Sequence, residues 1–247
     1  MGTIEYRVEG AVGYLTLNRP EKYNAVNHDM METLHAFWLE RRTDENTRVI
    51  VLDGGNAKGF CAGLDMESLG PAIFEMTRIQ AYDSQARLSR LLLAMRTAPQ
   101  PIISCVHGAA AGLGFSFAMA SDLRIITDDA RFSAAYINIG LGGADMASSY
   151  FLPRLIGSGR ANEFLLTGNW MNADDAMALG FASRRVKRED LISTASGLAE
   201  TMASKDALGL RMTKEALNIN LDAGGLEAVL HMEDRNQMMI NFSHQKK

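Results

Sequence analysis

Two glycine-rich stretches of this sequence are suited to holding a negatively charged oxygen. They are residues 59–65 (GFCAGLD) and residues 107–120 (HGAAAGLGFSFAMA). Glycines let a backbone bend sharply and approach a ligand closely. The second stretch leads into an apolar helix, whose first N–H groups have no partner within the helix and lie at its positive end. Such backbone donors suit an oxyanion, although small residues at both places would also permit tight helix packing.

Composition and charge exclude several classes of protein. The 247 residues carry a formal net charge of −4, with acidic and basic side chains mixed along the chain, so no nucleic-acid-binding surface is predicted. No apolar run approaches the roughly 18–20 residues that span a bilayer, and the N-terminus lacks a signal pattern. Cys61 and Cys105 lack metal-ligand spacing and are expected to be reduced packing thiols. We therefore expect a cytoplasmic enzyme without a membrane contact.

Short strands alternate with helices along the chain. Residues 4–8 and 12–17 predict a β-hairpin, and residues 49–52 and 102–106 predict buried strands that precede the glycine-rich stretches. Asn27 can cap the helix that follows it. Further helices are predicted at 71–95 (one or two), 148–156, 160–167, 173–179, 188–203, 207–220 and 226–242, and strands at 123–127 and 182–186. This alternation, followed by a helical tail, indicates an α/β domain.

A third segment, residues 18–25 (NRPEKYNA), completes a pattern that closely resembles the crotonase (enoyl-CoA hydratase/isomerase) superfamily. The resemblance continues in the same order through residues 151–157, 166–168, 176–180 and 213–217. It implies a crotonase-like (ClpP/crotonase) spiral of ββα units with a C-terminal helical region. On this basis residues 1–190 form the spiral acyl-CoA-binding core domain, and residues 191–247 form a helical trimerisation region.

The resemblance also implies chemistry on an acyl-CoA thioester. In this superfamily two backbone N–H groups polarise the thioester carbonyl and stabilise the enolate that forms as charge moves onto its oxygen. The matching positions are Ala62 and Leu113. Leu113 stands where the superfamily usually has glycine, and a positive φ would cost a leucine roughly 1 kcal/mol or more. No metal or redox cofactor is implied, because coenzyme A is part of the substrate.

The acid–base groups depart from the superfamily pattern. Ser116 and Tyr136 stand where typical hydratases have two glutamates. Asp145, in the run GGADMASSY, matches the position of an acid–base aspartate in dienoyl-CoA isomerases and of a nucleophilic aspartate in 4-chlorobenzoyl-CoA dehalogenases. As alternatives, Asp145 could cap the following helix, and Tyr136 could be a proton donor or a wall of the pocket. Ser116 has no adjacent base and is expected to be a buried helix serine.

Residues expected to contact coenzyme A lie around the first glycine-rich stretch. Arg19 and Lys22 belong to the loop that reaches the nucleotide phosphates in the superfamily, although both could be solvated loop charges. The resemblance assigns the rest of the acyl-CoA path to Ala25, Cys61, Ala62, Leu64, Asp65, Met66, Gly112 and Leu113.

Three hypotheses about function follow. The first is an enoyl-CoA hydratase or isomerase that moves a proton at the acyl α or γ carbon through Asp145. One base suffices for a 1,3-proton shift, whereas hydration ordinarily needs two groups, so isomerisation is favoured and a Tyr136-assisted hydratase stays open. The second is a hydrolase or dehalogenase with Asp145 as nucleophile, which the lack of a histidine at residues 91–94 weakens. The third is a non-catalytic acyl-CoA-binding subunit.

The helical tail is too apolar to be a solvent-exposed appendage. Residues 207–242 carry leucine, isoleucine, valine and methionine side chains at short intervals. Members of the superfamily usually form trimers, often stacked as hexamers, so we predict a homotrimer or homohexamer. The alternative is a tail that folds back on its own domain.

Overall fold

The computed structural model describes residues 2–244, except for the side chains of residues 70–74 and 244. The strands are β1 (Ile4–Glu9), β2 (Val12–Leu17), β3 (Val49–Asp53), β4 (Ile102–Val106), β5 (Ala109–Ala111), β6 (Leu123–Ile126), β7 (Arg131–Ser133), β8 (Met171–Asn172) and β9 (Arg184–Arg185). The helices are α1 (His28–Arg41), α2 (Met66–Glu75), α3 (Arg78–Arg96), α4 (Leu113–Ala120), α5 (Ser148–Ile156), α6 (Ser158–Thr167), α7 (Ala173–Ala178), α8 (Leu191–Ala203), α9 (Ala207–Asn220) and α10 (Leu226–His244). Short 3-10 helices lie at Pro20–Lys22, Ala135–Ile139 and Arg188–Asp190.

The larger sheet has the strand order β1-β2-β3-β4-β6-β9. Strand β1 is antiparallel to β2, and the other neighbours are parallel. Both faces of its central strands are covered: Leu52 of β3 packs in the cluster that contains α1, α3 and α4, while Val51 packs in the cluster with Leu191 of α8. Burial on both faces explains why β3 and β4 are continuous apolar runs rather than alternating ones.

A smaller sheet with the order β5-β7-β8 holds the strand that precedes α4. The chain visits the two sheets in repeated units, because β4, β5 and α4 are followed by β6, β7 and α5. Each unit places one strand in the larger sheet, one in the smaller sheet and then a helix. This is the spiral of ββα units that the resemblance implies.

Most elements lie where the sequence predicts them. The hairpin and the two buried strands are present, and α5 and α9 have the predicted bounds. Asn27 caps α1 by accepting the Met30 N–H at 3.0 Å. The predicted strand at 182–186 is shorter than expected, since only β9 pairs with β6. Among the described helices, none is long and apolar enough to cross a bilayer.

The segment predicted as one or two helices at 71–95 contains two, and the first begins earlier than predicted. Helix α2 starts at Met66 because the Asp65 carboxylate accepts the Ser68 N–H in its first turn. Helix α3 starts after a capping box formed by Thr77 and Gln80. Several residues between 76 and 88 line the cavity described below.

The C-terminal helices join the core in different ways. Helix α8 packs on the larger sheet, whereas α9 is attached through Lys214, whose ammonium pairs with Asp122 at 2.9 Å and donates to the Gln100 carbonyl at 2.7 Å. Helix α10 packs on α9. The division at residue 190 stays a prediction, and residues 245–247 of the predicted helical region lie outside the described residues.

Candidate active site

The two glycine-rich stretches lie side by side. Cys61 and Ala110 form an isolated parallel bridge, and the Ala111 N–H donates to the Cys61 carbonyl at 2.9 Å. Glycine is required where they meet, because a Cβ on Gly114 would lie 2.2 Å from the Cys61 carbonyl oxygen. A Cβ on Gly63 would lie 3.4 Å from the first backbone nitrogen of α4. The contact therefore brings the turn of the first stretch against the N-terminus of that helix.

The first residue of α4 supplies one backbone donor. The N–H of Leu113 has no partner within the helix, and no acceptor for it is found in the described part of the chain. The positive φ (+52°) belongs to Gly112, and Leu113 itself has an ordinary φ. The strain considered for a leucine at this position does not arise, so the Leu113 N–H is available to a ligand.

The second donor differs from the one that the resemblance assigns. The Ala62 N–H donates to the Tyr23 carbonyl at 3.0 Å and is therefore already used, so the Ala62 prediction is wrong for this role. The Val26 N–H donates to the Gly63 carbonyl at 2.7 Å, and the Val26 carbonyl accepts the Asp65 N–H at 3.0 Å. In this parallel bridge the N–H of Leu64, the residue between them, faces away from Val26. Within residues 2–244 that N–H has no acceptor, and the turn at Gly63 (φ +98°) separates it from Ala62.

A cavity of about 350 Å³ opens beside these two donors. Tyr136 and Asp145 are the titratable residues in its described lining, and that lining contains no histidine. The larger apolar side chains of its walls are Leu64, Met66, Met76, Leu88, Leu113, Ile139, Leu141 and Met146. Flexible apolar walls around a few polar groups suit an acyl chain that carries one reactive end.

The carboxylate of Asp145 is held through one of its oxygens. Oδ1 accepts the Gln85 amide at 2.6 Å and the Met146 N–H at 2.7 Å. The N-cap residue of α5 is Ala147, and no side chain caps this helix. The Asp145 carboxylate bonds Gln85 and Met146 and none of the N–H groups of α5. The prediction that Asp145 caps the helix is therefore wrong. Met146 and Ala147 both have left-handed backbones (φ +45° and +63°), a strain typical of functional loops.

The two residues that replace the hydratase glutamates are hydrogen-bonded to each other. Ser116 Oγ lies 3.2 Å from the Tyr136 hydroxyl, which donates to the Gly112 carbonyl at 3.3 Å. Burial raises the pKa of Tyr136 to about 12, and the charge of Asp145 acts in the same direction. Tyr136 is therefore a neutral hydrogen-bond donor near neutral pH. Ser116 is the buried helix serine that the sequence predicts.

Several residues expected on the coenzyme A path have structural roles instead. Arg19, whose side chain is 14% exposed, is held by the Asp65 carboxylate at 3.0 Å and by the Ala25 carbonyl. These three residues fix the loop that the superfamily pattern predicts to be a ligand contact. Cys61 is enclosed in the core, where its thiol donates to the Asn24 carbonyl and burial raises its pKa to about 12. Its side chain therefore does not line the ligand path.

Other predicted contacts are accessible, and two further cations were missed. Lys22 is 44% exposed and pairs with Glu67 at 2.5 Å, which raises the pKa of Lys22. Lys58 and Arg131 line a second cleft, of about 420 Å³, that shares Ala62 with the acyl cavity. The position of Lys58, directly before the first glycine-rich stretch, is the sequence feature that could have marked it as a ligand contact. No such feature marks Arg131.

Comparison with known proteins decides the family. The chain matches the family described as enoyl-CoA hydratase/isomerase over residues 7–247. It belongs to that family. A probable enoyl-CoA hydratase of Mycobacterium tuberculosis is 38% identical over 234 residues, which cover 94% of this chain and 82% of that protein. A 1,2-epoxyphenylacetyl-CoA isomerase of Escherichia coli is 32% identical over 241 residues, which cover 96% of this chain and 89% of that protein.

A solved relative agrees with the fold. The crystal structure of a probable enoyl-CoA hydratase/isomerase from Mycobacterium abscessus has a TM-score of 0.89 at 34% identity, and the match covers 98% of this chain and 91% of that one. The crotonase-type α/β fold is thereby confirmed. The protein is an enoyl-CoA hydratase/isomerase-type enzyme of acyl-CoA thioesters, and the hydrolase, dehalogenase and binding-subunit hypotheses are not favoured.

Proposed function

We propose that this enzyme isomerises the double bond of an enoyl-CoA, with Asp145 as its acid–base group. One observation carries the proposal: Asp145 is the only carboxylate in the described lining of the acyl cavity, and the other titratable residue there is Tyr136. Hydration ordinarily needs one group to activate water and another to protonate the α carbon, whereas one carboxylate can perform a 1,3-proton shift. Asp145 alone is thus matched to isomerisation.

The proposed reaction begins with the thioester carbonyl placed between two backbone donors. The N–H groups of Leu64 and Leu113 hydrogen-bond its oxygen, and the N-terminal end of α4 adds a favourable dipole. Asp145 removes a proton from C2 of a 3-enoyl-CoA, and the negative charge moves onto the thioester oxygen. The same carboxyl group then returns the proton to C4, which leaves the double bond between C2 and C3.

We infer that coenzyme A extends from this cavity into the neighbouring cleft. Lys58 and Arg131 supply positive charge there, and Ala62 lies where the two spaces join. The exposed ion pair of Lys22 with Glu67 is weak enough to be exchanged for a phosphate contact. In this proposal the enzyme needs no metal or redox cofactor, because enolate chemistry uses only hydrogen bonds and a base.

The test is an assay of purified enzyme on matched 2-enoyl-CoA and 3-enoyl-CoA series. We expect conversion of the 3-enoyl series to 2-enoyl products, with little addition of water to the 2-enoyl series. Turnover of neither series, with acyl-CoA binding retained, would contradict the proposal and support a non-catalytic subunit.

A Tyr136-assisted hydratase is the second candidate. The observation that favours it is the neutral Tyr136 hydroxyl in the same cavity as Asp145, which makes a second proton-transferring group available. In the same assay this candidate predicts 3-hydroxyacyl-CoA as the main product from the 2-enoyl series. Faster hydration than isomerisation would decide in its favour.

We also propose that the enzyme assembles as a homotrimer or a pair of stacked trimers. Helices α9 and α10 leave apolar side chains exposed, including Leu217 at 64%, Leu226 at 72% and Phe242 at 58%. Apolar side chains concentrated on two adjacent helices indicate a protein interface. Two free, buried cysteines are consistent with a cytoplasmic location, which we propose for the enzyme.

A further inference from the structure

Gln85 makes the side-chain hydrogen bond that fixes the Asp145 carboxylate. Its Nε2 donates to Asp145 Oδ1 at 2.6 Å, and the two residues are 60 positions apart in the sequence. Gln85 lies on α3 and lines the same acyl cavity as Asp145. Nothing in the local sequence pattern marks Gln85, because the contact exists only after α3 has packed beside that loop.

The loop that carries Asp145 is rich in glycine and gives the carboxylate few partners. It contains Gly140, Gly142 and Gly143, and a Cβ on Gly142 would meet nothing within 4 Å. Apart from Gln85, the described residues give the Asp145 carboxylate one partner, the N–H of the adjacent Met146. A donor on a regular helix holds a side chain more firmly than a contact within a glycine-rich loop.

We propose that Gln85 is a positioning residue that selects which oxygen of Asp145 acts as the base. Both hydrogen bonds end on Oδ1, and Oδ2 has no partner among the described residues. Oδ1 is thereby occupied, and Oδ2 is the oxygen left to take the substrate proton. The inference rests on the proposed role of Asp145 and adds the residue that orients it.

The charged groups on the neighbouring elements have partners other than the Asp145 carboxylate. Tyr136 is the other titratable residue in the described cavity lining. On α3, Arg87 pairs with Glu32 of α1. On α5, Arg154 pairs with Asp222 at 3.0 Å. None of these cations bonds the Asp145 carboxylate, so Gln85 is its only side-chain donor among the described residues.

The experiment compares Gln85→Met and Gln85→Glu with the wild type, and Ser89→Ala is the matched control. Ser89 lies one turn further along α3, and its hydroxyl bonds only the Gln85 backbone carbonyl among the described partners. We expect Gln85→Met to lower kcat by about tenfold, the value of one hydrogen bond to a charged group, with KM within about twofold. A distorted cavity would instead change KM and kcat together.

Gln85→Glu keeps the shape of the side chain and replaces the donor by a second carboxylate. Because a carboxylate cannot donate to Asp145 Oδ1 and repels its charge, kcat should fall further than in Gln85→Met, with KM again little changed. Ser89→Ala should match the wild type in kcat and KM. A merely structural role of Gln85 would lower thermal stability in both variants without confining the loss to kcat.

Asp145→Asn and the carbon-13 chemical shift of the Asp145 carboxyl at one fixed pH separate the possible failures. If Asp145→Asn is inactive while both Gln85 variants equal the wild type in kcat and KM, the positioning role is overturned and the proposed function stands. If no substrate is turned over, the proposed function fails. The carboxyl spectrum still decides the contact in that case: an unchanged chemical shift in Gln85→Met overturns it, and a changed one supports it.

Discussion

At the scale of single residues, the site replaces two glutamates with a neutral hydrogen-bonded pair. Tyr136 donates to the carbonyl of Gly112, and Ser116 contacts the same hydroxyl. The peptide that bears this carbonyl also bears the N–H of Leu113. A hydrogen bond to the carbonyl polarises the peptide and strengthens that N–H as a donor. We expect Tyr136 to support the enolate-binding donor rather than to transfer a proton.

Tyr136→Phe tests that role. Loss of one neutral hydrogen bond should lower kcat for isomerisation about three- to tenfold. Ser116→Ala, which leaves the Tyr136–Gly112 contact in place, should stay within about twofold. A fall of about 10²-fold or more in Tyr136→Phe would instead indicate proton transfer by the tyrosine, as in the hydratase candidate.

The raised pKa of Tyr136 also predicts a pH dependence. The pKa of Tyr136 is about 12 in the folded protein and 10.0 in the unfolded chain, so the native state retains the hydroxyl proton to a higher pH than the unfolded state does. The contribution of Tyr136 to the free energy of unfolding is therefore present below pH 10 and declines between pH 10 and 12. Urea unfolding at several pH values should show that decline in the wild type and a smaller one in Tyr136→Phe.

At the scale of elements, the site depends on α4 starting at the correct residue and lying close to the first glycine-rich stretch. Leu113 is the first residue of α4, and proline is compatible with that position although it lacks an N–H. Leu113→Pro should therefore remove the donor while keeping the helix, and Leu113→Ala is its control. We expect kcat for Leu113→Pro to be about 10²–10³-fold below that of the alanine variant, and equal rates would contradict the donor role.

A second prediction concerns the close contact between the two glycine-rich stretches. Gly114→Ala would place a Cβ 2.2 Å from the Cys61 carbonyl oxygen, so the stretches must separate. We expect a loss of about 2–3 kcal/mol in the free energy of unfolding, together with lower activity. The control is Gly197→Ala in α8, where the added Cβ meets nothing within 4 Å and should stabilise the helix slightly. Unfolding curves of both variants measure the difference.

The sequence predicts the helices and strands better than the contacts between them. The buried strands and the Asn27 cap were predictable because their signals are local: apolar runs and a capping residue directly before a helix. The Leu64 donor was not, since it depends on which backbone groups Val26 and Tyr23 take up. Gln85 was also missed, because its partner lies 60 positions away. Local chemistry predicts an element, whereas side-chain partners require the packed fold.

At the scale of the whole molecule, the apolar surface of α9 and α10 predicts an assembly. Removal of residues 226–247 should dissociate the proposed trimer or hexamer and weaken acyl-CoA binding. Leu226→Glu should shift the assembly in the same direction, because Leu226 is 72% exposed, whereas Glu227→Gln should leave it unchanged. Light scattering measures the mass. A wild-type mass of one chain at micromolar concentration, with full activity, would contradict the assembly.

The base role of Asp145 is tested by proton exchange at C2 of a bound acyl-CoA in deuterated water, compared between the wild type and Asp145→Asn. The amide has almost the same shape as the carboxylate and cannot act as a base. We expect C2 exchange and isomerisation in the wild type. In Asp145→Asn both rates should fall about 10²–10⁴-fold while the acyl-CoA still binds. Exchange by Asp145→Asn at the wild-type rate would contradict Asp145 as the base.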